Sequence, residues 1–68
     1  MNIDIRKYIK ENFKESSTEE IKESIVSSIA ENDEITLPGM GVFFEILWSN
    51  SNPENQDYIL NTLKNNLN

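Results

Sequence analysis

The chain contains no cysteine and no histidine in its 68 residues. Without cysteine, disulfides and thiolate metal sites are excluded, and without histidine only carboxylates remain to hold a zinc ion. Nucleophilic Ser-His and Cys-His pairs are excluded for the same reason. The two glycines, Gly39 and Gly41, do not make a phosphate-binding loop, which requires a third glycine and a lysine. The sequence therefore predicts a protein that is not an enzyme and that holds no metal and no cofactor.

Long apolar runs are also missing. Residues 1–14 carry a charge every few positions, whereas a signal peptide requires an uninterrupted apolar stretch. The longest apolar run, residues 40–48, contains Glu45 and is too short to cross a bilayer. We therefore expect a cytoplasmic protein that does not bind membranes.

Basic residues are scarce and concentrated at one end of the chain. Six lysines and arginines stand against twelve acids, which gives a net charge of -6. Residues 1–14 contain four basic and two acidic residues, whereas residues 15–68 contain two basic and ten acidic ones. Nucleic-acid binding depends on neutralising phosphates, and an acidic body repels them. The sequence therefore predicts no direct binding of nucleic acid, and Lys7, Lys10 and Lys14 are expected to form a solvated face.

The length of the chain predicts a single domain over residues 1–68. A chain of this size buries only about 60% of the surface that its unfolded form exposes, so its fold is marginal without reinforcement. Because disulfides and thiolate-bound metals are excluded, self-association is the reinforcement that remains open.

The first predicted helix spans residues 3–14, where apolar side chains recur at helical spacing. Either Asn2 or Asp4 can cap its N-terminus, because both side chains accept hydrogen bonds from backbone amides. Its apolar positions are Ile5, Tyr8, Ile9 and Phe13.

The second predicted helix spans residues 17–31 and begins with the pattern of a capping box. In this motif Ser17 and Glu20 each accept a hydrogen bond from the other's backbone amide. Asn32 can end the helix, because asparagine tolerates the left-handed conformation of many C-terminal caps. The apolar stripe of this helix comprises Ile21, Ile25, Val26 and Ile29.

The central segment permits two interpretations. A hairpin would pair residues 35–37 with residues 42–48 through a turn at Pro38 and Gly39. A helix would begin at Pro38, whose fixed φ suits a first turn. Glu45 favours the helix, because in a strand its carboxylate would share a face with apolar side chains, whereas in a helix it lies on a narrow polar side.

The last predicted helix follows Pro53, which suits a first helical position, and Ser51 or Asn52 can cap it. The predicted fold is therefore all-α, a compact bundle of four short helices. The alternative is an α+β fold with two helices, a β-hairpin at residues 34–48 and a C-terminal helix. The last helix is expected to bury a stripe of Tyr58, Ile59, Leu60, Leu63 and Leu67.

Residues 37–48, LPGMGVFFEILW, resemble the signature of the small acid-soluble spore protein I family of Bacillus and Clostridium relatives. Two glycines, a proline, a lone glutamate and a tryptophan at fixed spacing make this signature specific. The resemblance runs along the whole chain without gaps, although Asn32 replaces a usual glycine and Ile35 and Thr36 replace a usual lysine and methionine. The signature residues are expected to pack together or to form an interface: Leu37, Pro38, Gly39, Met40, Gly41, Phe43, Phe44, Glu45, Leu47 and Trp48.

The resemblance implies a setting rather than a reaction, namely synthesis in the developing forespore and residence in the dormant spore core. It does not imply the DNA saturation performed by the major alpha/beta-type spore proteins, which this chain does not resemble. The family provides no established catalytic or binding residues to carry over. We therefore predict a sporulation-associated structural or interaction protein with no known biochemical activity. The alternative is a small acidic regulator, or nucleic-acid mimic, that binds a basic partner protein.

A second, weaker resemblance supports the hairpin interpretation. Residues 33–43 are similar to the helix-to-hairpin junction of HU-type histone-like proteins. Those proteins enter the minor groove with a basic β arm, and nothing in this sequence corresponds to that arm. The likeness therefore implies an HU-like dimer core and not DNA binding.

Two arrangements can cover the apolar signature. In a two-fold dimer the same patch pairs with itself. In a monomer the last helix folds back over the patch through Tyr58, Ile59 and Leu63. The sequence favours the dimer, because one layer of short helices can hardly cover this many large side chains. In either arrangement Phe44 and Trp48 are expected to be buried.

Overall fold

A computed structural model describes residues 4–31 and 34–67, and these residues contain helices but no strand. The all-α prediction is therefore confirmed. A short 3-10 turn, Glu34–Thr36, leads directly into the third α-helix. In chain order the helices are α1 (Ile5–Phe13), α2 (Thr18–Glu31), α3 (Leu37–Ser49) and α4 (Pro53–Asn65).

The hairpin interpretation of the central segment is wrong, because residues 34–49 are helical throughout. Ile35 and Thr36 lie in the 3-10 turn rather than in a strand, so the likeness to an HU-type junction does not extend to the structure. Pro38 occupies the first turn of α3, where its missing N–H leaves no hydrogen bond unmade. Within α3 the apolar side chains follow the spacing of a helix and not the alternation that a strand requires.

The predicted N-terminal caps of α1 and α2 are confirmed. The Asp4 carboxylate accepts a hydrogen bond from the Lys7 amide at 3.1 Å. Ser17 and Glu20 form the capping box: the Ser17 hydroxyl accepts from the Glu20 amide at 3.2 Å, and the Glu20 carboxylate accepts from the Ser17 amide at 3.1 Å. The predicted C-terminal cap at Asn32 lies outside the described residues.

The third helix is the centre of the fold, because α1, α2 and the 3-10 turn all pack against it. Among the residues that the structure describes, Val42 of α3 alone is buried. The four apolar residues of the α2 stripe are not buried alike. Ile21 and Ile25 are half-buried, whereas Val26 and Ile29 are exposed. The inward side of α2 is completed instead by Ser24 and Ser28, which follow Ile21 at three and seven residues.

The predicted burial of the α4 stripe is wrong. Tyr58 is 71% exposed and Leu67 is 75% exposed, and Leu60 and Leu63 are exposed as well. Only Ile59 is half-buried. The reason is geometric: α4 makes only sparse contacts with the other described helices, so most of its apolar side is not covered by the described residues.

The described chain is expanded for its size. Its radius of gyration is 13.3 Å, whereas a compact domain of this length has a value of about 11 Å. The expansion reflects helices that meet α3 without enclosing it.

Candidate interaction surface

The third helix has apolar side chains on two opposite sides. Its inner face comprises Gly39, Val42, Phe43 and Ile46, which follow one another at the spacing of a single helix side. The only charged residue of α3, Glu45, lies between the two faces. The outer face comprises Leu37, Gly41, Phe44, Leu47 and Trp48.

The inner face is in close contact with α1. The rings of Phe13 and Phe43 meet edge to face, with centroids 5.0 Å apart and an interplanar angle of 78°. A Cβ atom at Gly39 would lie 3.2 Å from Cδ1 of Ile9, which is tighter than an ordinary van der Waals contact. Glycine at this position therefore lets α1 approach α3, and the neighbouring Val42 is only 7% exposed.

An ion pair fixes α1 beside α3. The Arg6 guanidinium donates from Nε to Glu45 Oε1 at 2.7 Å and from Nη2 to Glu45 Oε2 at 2.6 Å, which is bidentate geometry. These hydrogen bonds lower the pKa of Glu45 below its ordinary value and raise the pKa of Arg6. Both side chains are exposed, so the pair sets the position of α1 more than it stabilises the fold.

Sequence reasoning did not pair Arg6 with Glu45. The two residues are separated by 39 positions, so no local spacing rule relates them. The available signal was Glu45 itself, the lone charged residue in an otherwise apolar helix.

The outer face remains open to solvent. Leu37 is 62% exposed, Phe44 is 44% exposed and Leu47 is 51% exposed. The half-buried Trp48 stacks on Phe44, with ring centroids 6.3 Å apart. Phe44 is therefore not buried within the chain, and α4 does not fold back over the patch as the monomeric arrangement required.

The junction between α3 and α4 fixes the end of the outer face. The Asn50 and Ser51 side chains donate to the carbonyls of Ile46 and Leu47, at 2.8 Å and 2.6 Å respectively. The Gln56 side-chain amide donates from Nε2 to the Trp48 carbonyl at 3.0 Å, which ties the beginning of α4 to the end of α3. These bonds satisfy carbonyls that a helix C-terminus otherwise leaves without partners.

Of the two predicted caps of α4, Asn52 is the one used. Its side-chain oxygen accepts a hydrogen bond from the Asn55 amide at 2.8 Å, and Pro53 occupies the first turn as predicted. Ser51 bonds back to α3 instead. The start of α4 is thus held by polar contacts, while its apolar side stays exposed.

A groove of about 470 Å³ lies on the other side of the molecule, between α1, α2 and the start of α3. Its wall is apolar except for hydroxyl groups. The lining of the groove includes Tyr8, Phe13, Ser28, Met40 and Phe43.

In the described part of the chain, no three acidic residues come together in a way that could hold a metal ion.

All ten predicted signature residues lie in α3, but they have different surroundings. Gly39 and Phe43 face α1, and Pro38 and Met40 border the groove. Glu45 pairs with Arg6 at the edge of the helix. The remaining five form the outer face: Leu37, Gly41, Phe44, Leu47 and Trp48.

These features define a class of protein: a small, acidic, all-helical chain organised around one apolar helix. No described helix is both long enough and apolar enough to cross a membrane. Residues 3–67 match the family described as "Small, acid-soluble spore protein I". The chain belongs to this family, as its resemblance predicted, and therefore has a sporulation-associated role.

Curated relatives bearing the same name cover nearly the whole chain. The protein of Halalkalibacterium halodurans is 37% identical over 59 residues, which is 87% of each chain. That of Geobacillus kaustophilus is 33% identical over 94% of this chain and 93% of its own. That of Bacillus mycoides is 33% identical over 98% of this chain and 97% of its own. No solved structure matches the chain significantly.

Proposed function

We propose that this chain is a non-catalytic protein of the spore core that acts by contact, through the outer face of α3. The observation that carries the proposal is the exposure of Leu37, Phe44 and Leu47 on a helix that is apolar on both sides. Large apolar side chains grouped on a surface typically mark a site of interaction. Membership of the spore protein family supports a role in the spore, and the exposed outer face supports a role that is carried out by contact.

The charged side chains support contact rather than chemistry. Catalytic groups are commonly recognised by a pKa shifted through burial or through a deliberately placed neighbour. The pKa values of Arg6, Glu20 and Glu45 depart clearly from their ordinary values. The Glu20 pKa is lowered by the capping hydrogen bond from the Ser17 backbone, and the other two belong to the α1–α3 ion pair. Each shift thus has a structural origin.

The proposal is tested in sporulating cells that express the chain in place of their own copy. Leu47→Lys places a charge on the outer face, and Ile29→Lys places the same charge on another exposed apolar position, on α2. Cross-linking in intact spores should trap the wild-type and Ile29→Lys chains in larger species and leave Leu47→Lys uncross-linked. Equal cross-linking of all three chains would contradict a role for the outer face.

The acidic surface supports a second candidate, an acidic regulator that binds a basic partner. Residues 15–68 carry ten acids against two basic residues, and Glu19, Glu23 and Glu31 are exposed on α2. A complex held by such charges weakens as salt rises, whereas apolar contact does not. Binding of a basic protein that is lost at high salt and insensitive to Leu47→Lys would favour this candidate. Neither candidate predicts a mobility shift of duplex DNA.

A further inference from the structure

We infer that a second copy of this chain covers the outer face of α3, in a two-fold dimer whose α3 helices cross at Gly41. The inference rests on the proposed function, because it names the partner of the same surface.

The first argument is the two-sided apolarity of α3. A helix that is apolar all round is ordinarily buried on all sides, whereas a helix at a protein surface keeps one polar side. Here α1, α2 and the 3-10 turn cover the inner side only. Leu37, Phe44 and Leu47 are left in water on the opposite side. The sequence of α3 is therefore that of an interior helix. Its inner side is covered within the chain, and its outer side is covered by another chain.

The second argument is the accessible area. The chain exposes 6097 Å², whereas a folded monomer of 7.9 kDa exposes about 4,400 Å². The excess is thus roughly 1,700 Å² per chain, or about 3,400 Å² for two chains, which falls within the range of about 2,000–5,000 Å² that obligate homodimers bury. This excess is spread over the whole chain and includes the exposed apolar side of α4, so the outer face contributes only part of the area available to a dimer.

Charge permits the contact although each chain carries -6. The outer face contains no charged side chain, and the nearest carboxylate in sequence, Glu45, is engaged by Arg6. Two copies can therefore meet along α3 without placing like charges in contact. The remaining repulsion acts between distant surface charges, which salt screens over about 8 Å at physiological ionic strength.

Gly41 marks where the two helices cross. Glycine is the least favourable residue but proline in a helix interior, and contacts within the chain explain Gly39 but not Gly41. Among the described residues, a Cβ atom at Gly41 would meet nothing within 4 Å. Gly41 lies at the border of the outer face, beside the shallow depression formed with Arg6 and Glu45. A helix from a second copy that approaches closely at this point accounts for the missing side chain.

A second copy fits this surface better than an unrelated chain, because a two-fold axis pairs the same patch with itself. The patch needs no complementary charge from its partner, since it has none of its own. It also needs no separate partner to be present, because every chain brings the same surface.

The test is sedimentation equilibrium of the purified full chain at tens of micromolar, with far-UV circular dichroism to confirm helicity. The wild-type and Ile29→Lys chains are expected to approach twice 7.9 kDa, and Leu47→Lys is expected to remain at 7.9 kDa. Because lysine makes the net charge less negative, dissociation of Leu47→Lys cannot be attributed to stronger long-range repulsion between the chains, and reports the charge placed in the contact itself. A wild-type mass of 7.9 kDa across the range, or dimers of both lysine variants, would overturn the inference.

Gly41→Ala provides a second variant that cannot fail by unfolding α3, because alanine favours the helix. We expect it to raise the dissociation constant of the dimer at least tenfold, since its Cβ atoms hold the two helices apart. An unchanged constant would show that the helices do not cross there. Raised salt should tighten the wild-type dimer. A dimer that salt weakens would instead join the basic α1 of one copy to the acidic body of another, and would overturn the inference.

Failure of the dimer can be separated from failure of the proposed function. If the purified wild-type chain stays monomeric while spores still cross-link it in a Leu47-dependent manner, the outer face binds a different protein. The dimer is then refuted and the interaction role stands. If neither assay depends on Leu47, both are refuted.

Discussion

The two faces of α3 have similar composition and opposite surroundings. Phe43 on the inner face meets Phe13 edge to face at 5.0 Å, whereas its neighbour Phe44 on the outer face is 44% exposed. The inner glycine, Gly39, is in contact with Ile9, whereas the outer glycine, Gly41, faces open space. Apolar content alone therefore does not determine which side of a helix its own chain covers.

Specific contacts with α1 decide which side becomes the inner face. Ile9 packs against α3 at Gly39, where a Cβ atom would lie 3.2 Å from its Cδ1 atom. Arg6, one turn earlier on α1, reaches Glu45 at the edge of α3 and fixes the relative position of the two helices. A close contact and a bidentate ion pair thus hold α1 on one apolar side, and the other side stays exposed to solvent.

The largest expected difference is between two adjacent phenylalanines in a monomeric Leu47→Lys background. Phe43→Ala removes the contact with Phe13 and should lower the free energy of unfolding by about 3 kcal/mol, the lower end of the usual range, because Phe43 is half-buried. Phe44→Ala loses only a stack with Trp48 one turn away and should cost less than about 1 kcal/mol. Urea unfolding followed by circular dichroism measures both.

The same two variants sharpen the comparison when Leu47 is intact. Phe44→Ala should then weaken self-association, whereas its effect on the isolated chain stays small. Equal losses of unfolding free energy for the two phenylalanines in the monomeric background would show that the outer face is covered within the chain.

The two glycines should respond to alanine in opposite ways in the same monomeric background. Gly41→Ala meets no atom of the described residues within 4 Å and should gain about 1 kcal/mol of unfolding free energy from helix propensity, which raises Tm by about 4–8 °C. At Gly39→Ala the new methyl group presses on Ile9, and overpacking of this kind typically costs about 1–3 kcal/mol, which cancels or exceeds the gain. Thermal melts compare the two. A higher Tm for Gly39→Ala than for Gly41→Ala would contradict the close contact with α1.

The cap at the start of α4 should have a smaller effect. Asn52→Ala removes the acceptor for the Asn55 amide and should cost about 1 kcal/mol of unfolding free energy. Asn61→Ala, on an exposed mid-helix position of α4, provides the control and should not destabilise the chain. Urea unfolding checks both variants, and a loss no larger for Asn52 than for Asn61 would show that α4 does not depend on its cap.

The smallest expected effect is the pH dependence of the Arg6–Glu45 pair. The folded-state pKa of Glu45 is lowered from an ordinary value of 4.5, chiefly by the hydrogen bonds from Arg6. The pair therefore contributes stability above that value, and the contribution is lost as the pH falls through the lowered pKa. Glu45→Gln should flatten the fall in unfolding free energy between about pH 6 and about pH 3. Glu23→Gln makes the same change at an exposed position of α2 and provides the control, and an equal effect of the two variants would contradict a role for the ion pair.

Local signals in the sequence predicted much of the fold. The capping box at Ser17 and Glu20, the caps at Asp4 and Asn52 and the proline positions each act within four residues, so the local sequence contains the whole interaction. Glu45 correctly favoured a helix over a hairpin for α3. The resemblance to the spore protein family was likewise confirmed over residues 3–67.

The errors concern contacts between elements. Helical spacing identified the apolar side of α4 but could not show that α4 extends away from the other helices, which leaves Tyr58 exposed. The same rule predicted an apolar stripe on α2 and did not anticipate that Ser24 and Ser28 complete its inward side. The pairing of Arg6 with Glu45 spans 39 positions and depends on the final packing of α1.

Trp48 offers the most direct test of the central claim, that the outer face of α3 is covered by a second copy. It is the only tryptophan of the chain, it belongs to the outer face and it is half-buried in the single chain. On dilution of the wild-type chain, mass action dissociates the dimer, so its fluorescence emission should shift to longer wavelength while the helical signal persists. Leu47→Lys should show the long-wavelength emission at every concentration. A wild-type emission that is independent of concentration and identical to that of Leu47→Lys would contradict the account.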